Sequence, residues 1–244
     1  MHELYSFHFL DTISAQLHAQ LEAMEQTELT EHTLTALAAF QHENNAAQGV
    51  YVLHHLGVPV YVGKASNMKY RLKKHLKKIS GRKNISVRDT TYKALLLDKS
   101  MSTAANETIL LGLFQESHAG MWNNGGFGPN DPGKERDTTE PGDFDRAHPI
   151  QERWLITLRE SQATIGEVLA SMKKQLPYVF RYQSLSAMER SIPIDPSTSP
   201  ADADALFEAC VRKLGVGWKG AILSYGMVLY RNSKSYPFGR EVLP

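Results

Sequence analysis

The sequence predicts an α+β fold: a small antiparallel three-stranded sheet flanked by helices, with a helical N-terminal extension and a mixed C-terminal one. Three observations predict it. Two short runs rich in Val and Tyr, Val50–His54 and Val58–Val62, stand either side of Leu56-Gly57 and read as a hairpin. A helical stripe follows directly, with Met68, Leu72, Leu76 and Ile79 at helical spacing. A third apolar run, Thr91–Leu97, supplies the remaining strand.

Taken in order, residues 1–48 form a helical extension. Leu10, Ile13, Leu17, Leu21 and Met24 give an amphipathic helix over 8–26, and Leu34, Leu37 and Phe40 a shorter one over 31–41. Residues 49–124 form the central module. In it Ser66 or Asn67 caps the helix after the hairpin, Gly81 ends it, and Ser102 or Thr103 caps a later helix that buries Leu110, Leu113 and Phe114. Residues 125–150 read as a long Gly/Pro/Asp-rich loop without hydrophobic period. Residues 151–244 form an α/β extension: a helix from Trp154 to Gln175, a strand near Tyr178–Phe180, a Pro/Ser linker at 193–200, a helix through Leu206, Phe207 and Cys210, and a strand pair near 220–231.

Charge is segregated. Residues 1–63 hold no Lys or Arg and seven acids, whereas residues 64–88 hold ten bases and no acid. Since the whole chain carries only +1, the rest of it is acidic. A basic block usually forms a solvated helix face. One without acids also repels itself, which a polyanionic partner relieves. The single cysteine excludes an internal disulfide and a cysteine-based zinc site. No membrane span is expected, and the N-terminal stretch lacks the pattern of a signal peptide, so the expected location is cytoplasmic.

Several side chains have the chemistry of a phosphodiesterase. Tyr51 and Tyr61 lie on the paired strands; alone, each would be packing. A free phenol has a pKa of about 10, so base chemistry at neutral pH requires cations or a metal nearby. Arg71 and His75, four apart, share a helix face at the edge of the core. Arginine there suits a phosphate, and histidine exchanges a proton near neutral pH. Glu107 has Leu110, Leu111 and Phe114 on its inward side. A carboxylate so placed needs a metal ion or an arginine; with no second acid beside it, a one-metal site is expected, and a salt bridge to Arg71 is the structural alternative. The Gly/Asn stretch from Trp122 to Gly128 could hold amides against a phosphate, although such clusters are most often turns.

Together these residues resemble the GIY-YIG nuclease superfamily. Gly49-Val50-Tyr51 and Tyr61-Val62-Gly63 match its two signatures with Val for Ile, and Arg71, His75, Glu107 and Asn123 stand at its further site positions. Tyr61-Val62-Gly63-Lys64-Ala65, Trp122-Asn123 and Gly126-Phe127-Gly128 are similar to the type II restriction endonucleases of this superfamily that cut CCGCGG.

The resemblance implies metal-dependent hydrolysis of double-stranded DNA at a short palindrome. Tyr51, assisted by His75, would position or deprotonate the water. Glu107 would hold Mg²⁺ (or Mn²⁺). Arg71 would neutralise the phosphate, and Tyr61, Lys64 and Asn123 would orient it. A palindromic target implies a homodimer, and a DNA methyltransferase encoded nearby would fit a restriction system. Lys69, Lys73, Lys74, Lys78, Arg82 and Lys83 are the expected backbone contacts; Asn124, Lys134 and Arg136 are candidates on the loop. The alternatives are a repair or structure-specific endonuclease, and a catalytically silent DNA-binding protein on the same scaffold.

Overall fold

The computed structural model describes residues 9–98, 111–114, 120–123, 125–128, 131–158, 163–194 and 201–244. They form two compact units: Met1–Ile79 with Ile85–Pro129, and Ser80–Asn84 with Asn130–Pro244.

In the first unit, α1 (Phe9–Ala23), β1 (Thr27–Glu28) and α2 (Glu31–Glu43) precede the hairpin of β2 (Gly49–His55) and β3 (Val58–Ala65). Helix α3 (Met68–Ser80) and strand β4 (Thr90–Leu96) follow. The sheet is antiparallel in the order β1-β4-β2-β3, so the expected three strands gain a short fourth at one edge. Leu56 and Gly57, both with positive φ, turn the hairpin in the sense that matches strand twist. Thr30 and Thr33 form a capping box for α2, on which Leu34 is buried and Phe40 is exposed. Asn67 caps α3, its Oδ1 accepting from the Tyr70 N–H at 3.0 Å.

Period-2 alternation sorts the two faces of β2. Val50 and Val52 join Val62, Leu17 and Leu21 in a core under α1, with Phe114 of the helical stretch 111–114. Tyr51 and Leu53 point the other way, toward α3. Gly49 permits β4 to close on β2, because a Cβ there would stand 3.0 Å from Leu96 Cα and closer still to the Leu95 carbonyl.

The second unit centres on a sheet ordered β12-β10-β11-β7. Strands β10 (Lys219–Leu223), β11 (Gly226–Tyr230) and β12 (Gly239–Val242) are antiparallel, while β7 (Val179–Tyr182) runs parallel to β11. Residues 131–147 are not the plain loop expected: they hold a 3-10 helix (Lys134–Thr138) and α4 (Asp143–Ala147), and bury Phe144 and Asp137. The helix expected from Trp154 starts only at α5 (Ile165–Gln175), because Leu155–Ile156 is a strand, β5. Two further short strands and one short helix lie between: β6 (Ala163–Thr164), paired with β8 (Pro193–Ile194), and α6 (Ala187–Ser191). Strand β9 (Ala201–Asp202), paired with β5, leads into α7 (Ala203–Leu214). Helices α5 and α7 pack on one face of the sheet through Val168, Met172, Phe207 and Cys210, and Tyr225, Val228, Tyr230 and Tyr236 form a cluster of their own.

Candidate active site

Tyr51 reaches across from β2 to α3. Its hydroxyl and His75 Nε2 lie 2.7 Å apart, and neither residue has any exposed surface. Register makes room for this contact: Tyr51 stands opposite Gly63. A Cβ on Gly63 would fall 2.8 Å from Tyr51 Cε1 and closer still to the hydroxyl, so glycine here is a packing requirement of the phenol. Tyr61, opposite Leu53, faces the same way; its ring lies 6.0 Å from Tyr51 and 5.2 Å from His75, centroid to centroid. By the same alternation Lys64, opposite Val50, starts on the α1 face of the sheet.

His75 is deeper than the core-edge position expected for it. The buried stripe of α3 is Met68, Leu72, His75 and Ile79, with Leu76 only half-buried. The imidazole pKa falls to about 3, from burial first and then from the charges of Lys78, Arg71 and Lys74. Burial and those charges therefore disfavour the protonated ring relative to an ordinary histidine. Arg71, half-buried one turn earlier, is close enough for its charge to act on the ring.

The Gly/Asn stretch contributes two features that its composition hides. Asn123 clips onto the edge strand β3: Val62 N–H donates to its Oδ1 at 3.0 Å, and its Nδ2 donates to the Val62 carbonyl at 2.8 Å. The neighbouring Trp122 N–H donates to Val60 O at 2.6 Å. Asn123 thus acts on strand β3 beside Tyr61 rather than standing free. Phe127, which sequence reasoning did not single out as a site residue, stacks on His75 at 4.9 Å and 13°, and meets Tyr61 edge-on at 5.2 Å. Lys78 fixes this loop by donating to the Gly126 and Gly128 carbonyls, each at 2.8 Å. Only aromatic and glycine spacing hinted at any of it.

The expected DNA contacts divide. Lys69, Lys73 and Lys74 lie along α3 outside its buried stripe, Lys73 pairing with Glu31 at 3.0 Å and Lys74 lying over the exposed Tyr70 ring at 4.7 Å. Arg82 is the exception to the basic face. Its side chain is 1% exposed, paired with buried Asp145 at 3.0 Å, and donates to the His148 and Ser224 carbonyls. A guanidinium so enclosed is structural, and the expected phosphate contact is corrected accordingly. Lys83 pairs with Glu152 at 2.5 Å. Arg136 donates to Thr139 at 2.9 Å and to the Glu140 carbonyl, and Lys134 lies over Tyr230 at 5.0 Å. Glu107 and Asn124 lie outside the described residues.

Residues 60–176 match the family model for the Eco29kI GIY-YIG domain. Over that span the chain is similar to a GIY-YIG domain. The match runs well past Asn123, to the end of α5, and supports nuclease activity on DNA. It begins inside β3, so Tyr51 stands before it, tied to the GIY-YIG segment by the bond to His75. No curated protein matches the chain. GIY-YIG nucleases are generally dependent on a divalent metal. Among the described residues no three His, Cys, Asp or Glu side chains gather to hold one, and none of the described helices is long and apolar enough to cross a membrane.

Proposed function

We propose that this protein is a metal-dependent type II restriction endonuclease that cuts a short palindrome in double-stranded DNA as a homodimer. The observation that carries the reading is the 2.7 Å Tyr51–His75 contact, with Tyr61 beside it and Arg71 one turn along the same helix. A buried phenol–imidazole pair with neighbouring cations suits the activation of water next to a phosphate.

The tautomer follows from the hydrogen bonds. His75 Nδ1 is buried without a partner. Were the single proton of the neutral ring on Nδ1, a buried donor would go unsatisfied, at a cost of about 1–3 kcal/mol. We assign it to Nε2, which then donates to the Tyr51 oxygen. That oxygen is held by the imidazole, and His75 meets any negative charge that builds on it. Phe127 fixes the plane of the ring. Arg71 neutralises charge on the phosphate, Tyr61 and Asn123 keep the β3 edge in place, and Lys64 contributes from the other face of that edge.

A hard ion such as Mg²⁺ commonly takes one or two carboxylates, waters and substrate oxygens rather than an all-protein cage. Glu107 would be the protein ligand, and the ion would supply Lewis-acid stabilisation of the leaving oxygen. Lys69, Lys73 and Lys74 would contact the DNA backbone.

The test is incubation of the purified chain with plasmid DNA, with Mg²⁺ or EDTA, and sequencing of the ends. Discrete fragments with identical ends support a restriction enzyme. A smear points to a nonspecific nuclease, and binding without cutting to a silent scaffold. Tyr51→Phe and Glu107→Ala are expected to abolish cleavage with DNA binding retained. Normal cutting by Glu107→Ala would remove the metal assignment.

A further inference from the structure

The second unit contains a cavity of 270 Å³ lined by Lys134, Lys173, Arg181, Tyr182 and Tyr230. Three cations, two phenols and no carboxylate line it, a strong bias in a chain whose other segments outside 64–88 are acidic in sum. Its floor is built rather than incidental. Arg181 is largely buried and held by Asp131 and Asp137, and its guanidinium also donates to Tyr225 Oη at 3.2 Å. The Tyr225 hydroxyl in turn donates to Asp137 at 2.5 Å. Lys173 is tethered to the Phe180 carbonyl on β7, an edge strand of the sheet. Lys134 is exposed and sits 5.0 Å from the centroid of the Tyr230 ring.

The second observation concerns Tyr230. The residue is 7% exposed, and its hydroxyl is buried without a hydrogen bond of good geometry; Arg181 makes at most a weak donor contact to the oxygen, which leaves the phenol's own proton without an acceptor. A buried hydroxyl is normally satisfied, so one left over in a cationic cavity indicates an acceptor that arrives with a ligand. Anchored cations set against aromatic rings are the pattern by which proteins hold nucleic-acid strands: charge tracks the phosphate, and a ring takes the face of a base or sugar.

We propose that this cavity binds a backbone phosphate of the DNA substrate, with the adjoining nucleoside against Tyr182 and Tyr230. Arg181, already neutralised by two acids, acts as the rigid strut. Lys134 supplies the unspent charge, and the Tyr230 hydroxyl donates to a phosphate oxygen. This inference rests on the nuclease reading, to which it adds a DNA contact carried by the second unit.

The experiment is fluorescence anisotropy of a labelled cognate duplex with the full chain in EDTA, over a salt series. The variants are Lys134→Ala, on an exposed side chain, and Tyr230→Phe, which removes only the hydroxyl; circular dichroism checks their folding. Each is expected to weaken binding about 3- to 10-fold, and Lys134→Ala to flatten the salt dependence by nearly one phosphate's worth, a change of about 0.9 in the log–log slope. Unchanged affinity and slope in both variants, with wild type binding normally, would overturn the cavity while leaving the nuclease reading intact. A wild type that neither binds nor cuts any duplex removes both. Competition by a deoxynucleoside monophosphate or inorganic phosphate separates the sources. Should wild type bind a free nucleotide in a Lys134-dependent way and the duplex independently of Lys134, the DNA assignment is wrong.

Discussion

Mild acid is expected to destabilise this protein through His75. The buried imidazole titrates at about 3 in the folded chain, against an ordinary value of 6.5. Between those two pH values the unfolded chain binds a proton that the folded chain refuses, so stability is whole above 6.5 and declines as pH falls. At pH 5 an ordinary histidine is almost fully protonated, which favours unfolding by roughly 30-fold, or about 2 kcal/mol, relative to pH 7.5. The assay is denaturant unfolding at both pH values for wild type and His75→Asn. The variant loses the Tyr51 contact and is less stable throughout, but its decline between pH 7.5 and 5 should be smaller than that of wild type by about 2 kcal/mol. A ¹³C-histidine NMR titration gives the direct check, with the variant identifying the resonance. A His75 midpoint near 6.5, or equal pH dependence in the two proteins, would refute the burial argument and the fixed tautomer with it.

Four further variants have expected outcomes. Gly63→Ala places a methyl against the Tyr51 ring and hydroxyl; a loss of about 1–3 kcal/mol and a greater loss of cleavage than of DNA binding are expected, measured by melting and by a nicking assay. Arg82→Ala strands buried Asp145 and should cost about 3–5 kcal/mol in thermal unfolding, whereas Lys69→Ala should leave the melting temperature unchanged and weaken DNA binding. Phe127→Ala removes the ring stacked on His75; it is expected to destabilise by about 3–5 kcal/mol and to move the His75 NMR midpoint upward as water reaches the imidazole.

Those positions also mark where the sequence was legible. The hairpin, its Leu56-Gly57 turn and three of the four α3 stripe residues could be read because period 2 and period 3.6 are local properties of the chain, while His75 is buried where Leu76 was expected. The same hairpin put Tyr51 and Tyr61 on paired strands, and the register then sets both on one face. Two things were not local. Phe127 lies in a stretch of Gly and Asn with no period, and it finds His75 only because Lys78 and Asn123 tie that stretch down. Arg82 sits in a run of bases, and counting charge could not separate it from its solvated neighbours; the acid that claims it, Asp145, comes from α4, in a segment whose composition reads as loop. Burial of a charge is a property of its distant partner. The 154–156 segment failed for a related reason: a short apolar run fits a strand as readily as a helix end.

The basic helix and the buried pair belong to one electrostatic arrangement. Arg71, Lys74 and Lys78 each add to the depression of His75 that burial begins, and under the proposed nuclease reading Arg71 and Lys74 would also meet the DNA phosphates. A cluster of cations disfavours a positive ring and favours negative charge on the oxygens beside it. Under that reading the block of bases would have two effects of one sign: it would draw a polyanion in, and it would add to the burial that keeps His75 neutral. A solvated basic face without the buried pair would bind DNA and do nothing more. Without those cations, burial alone would still hold the histidine below its ordinary pKa, only by less.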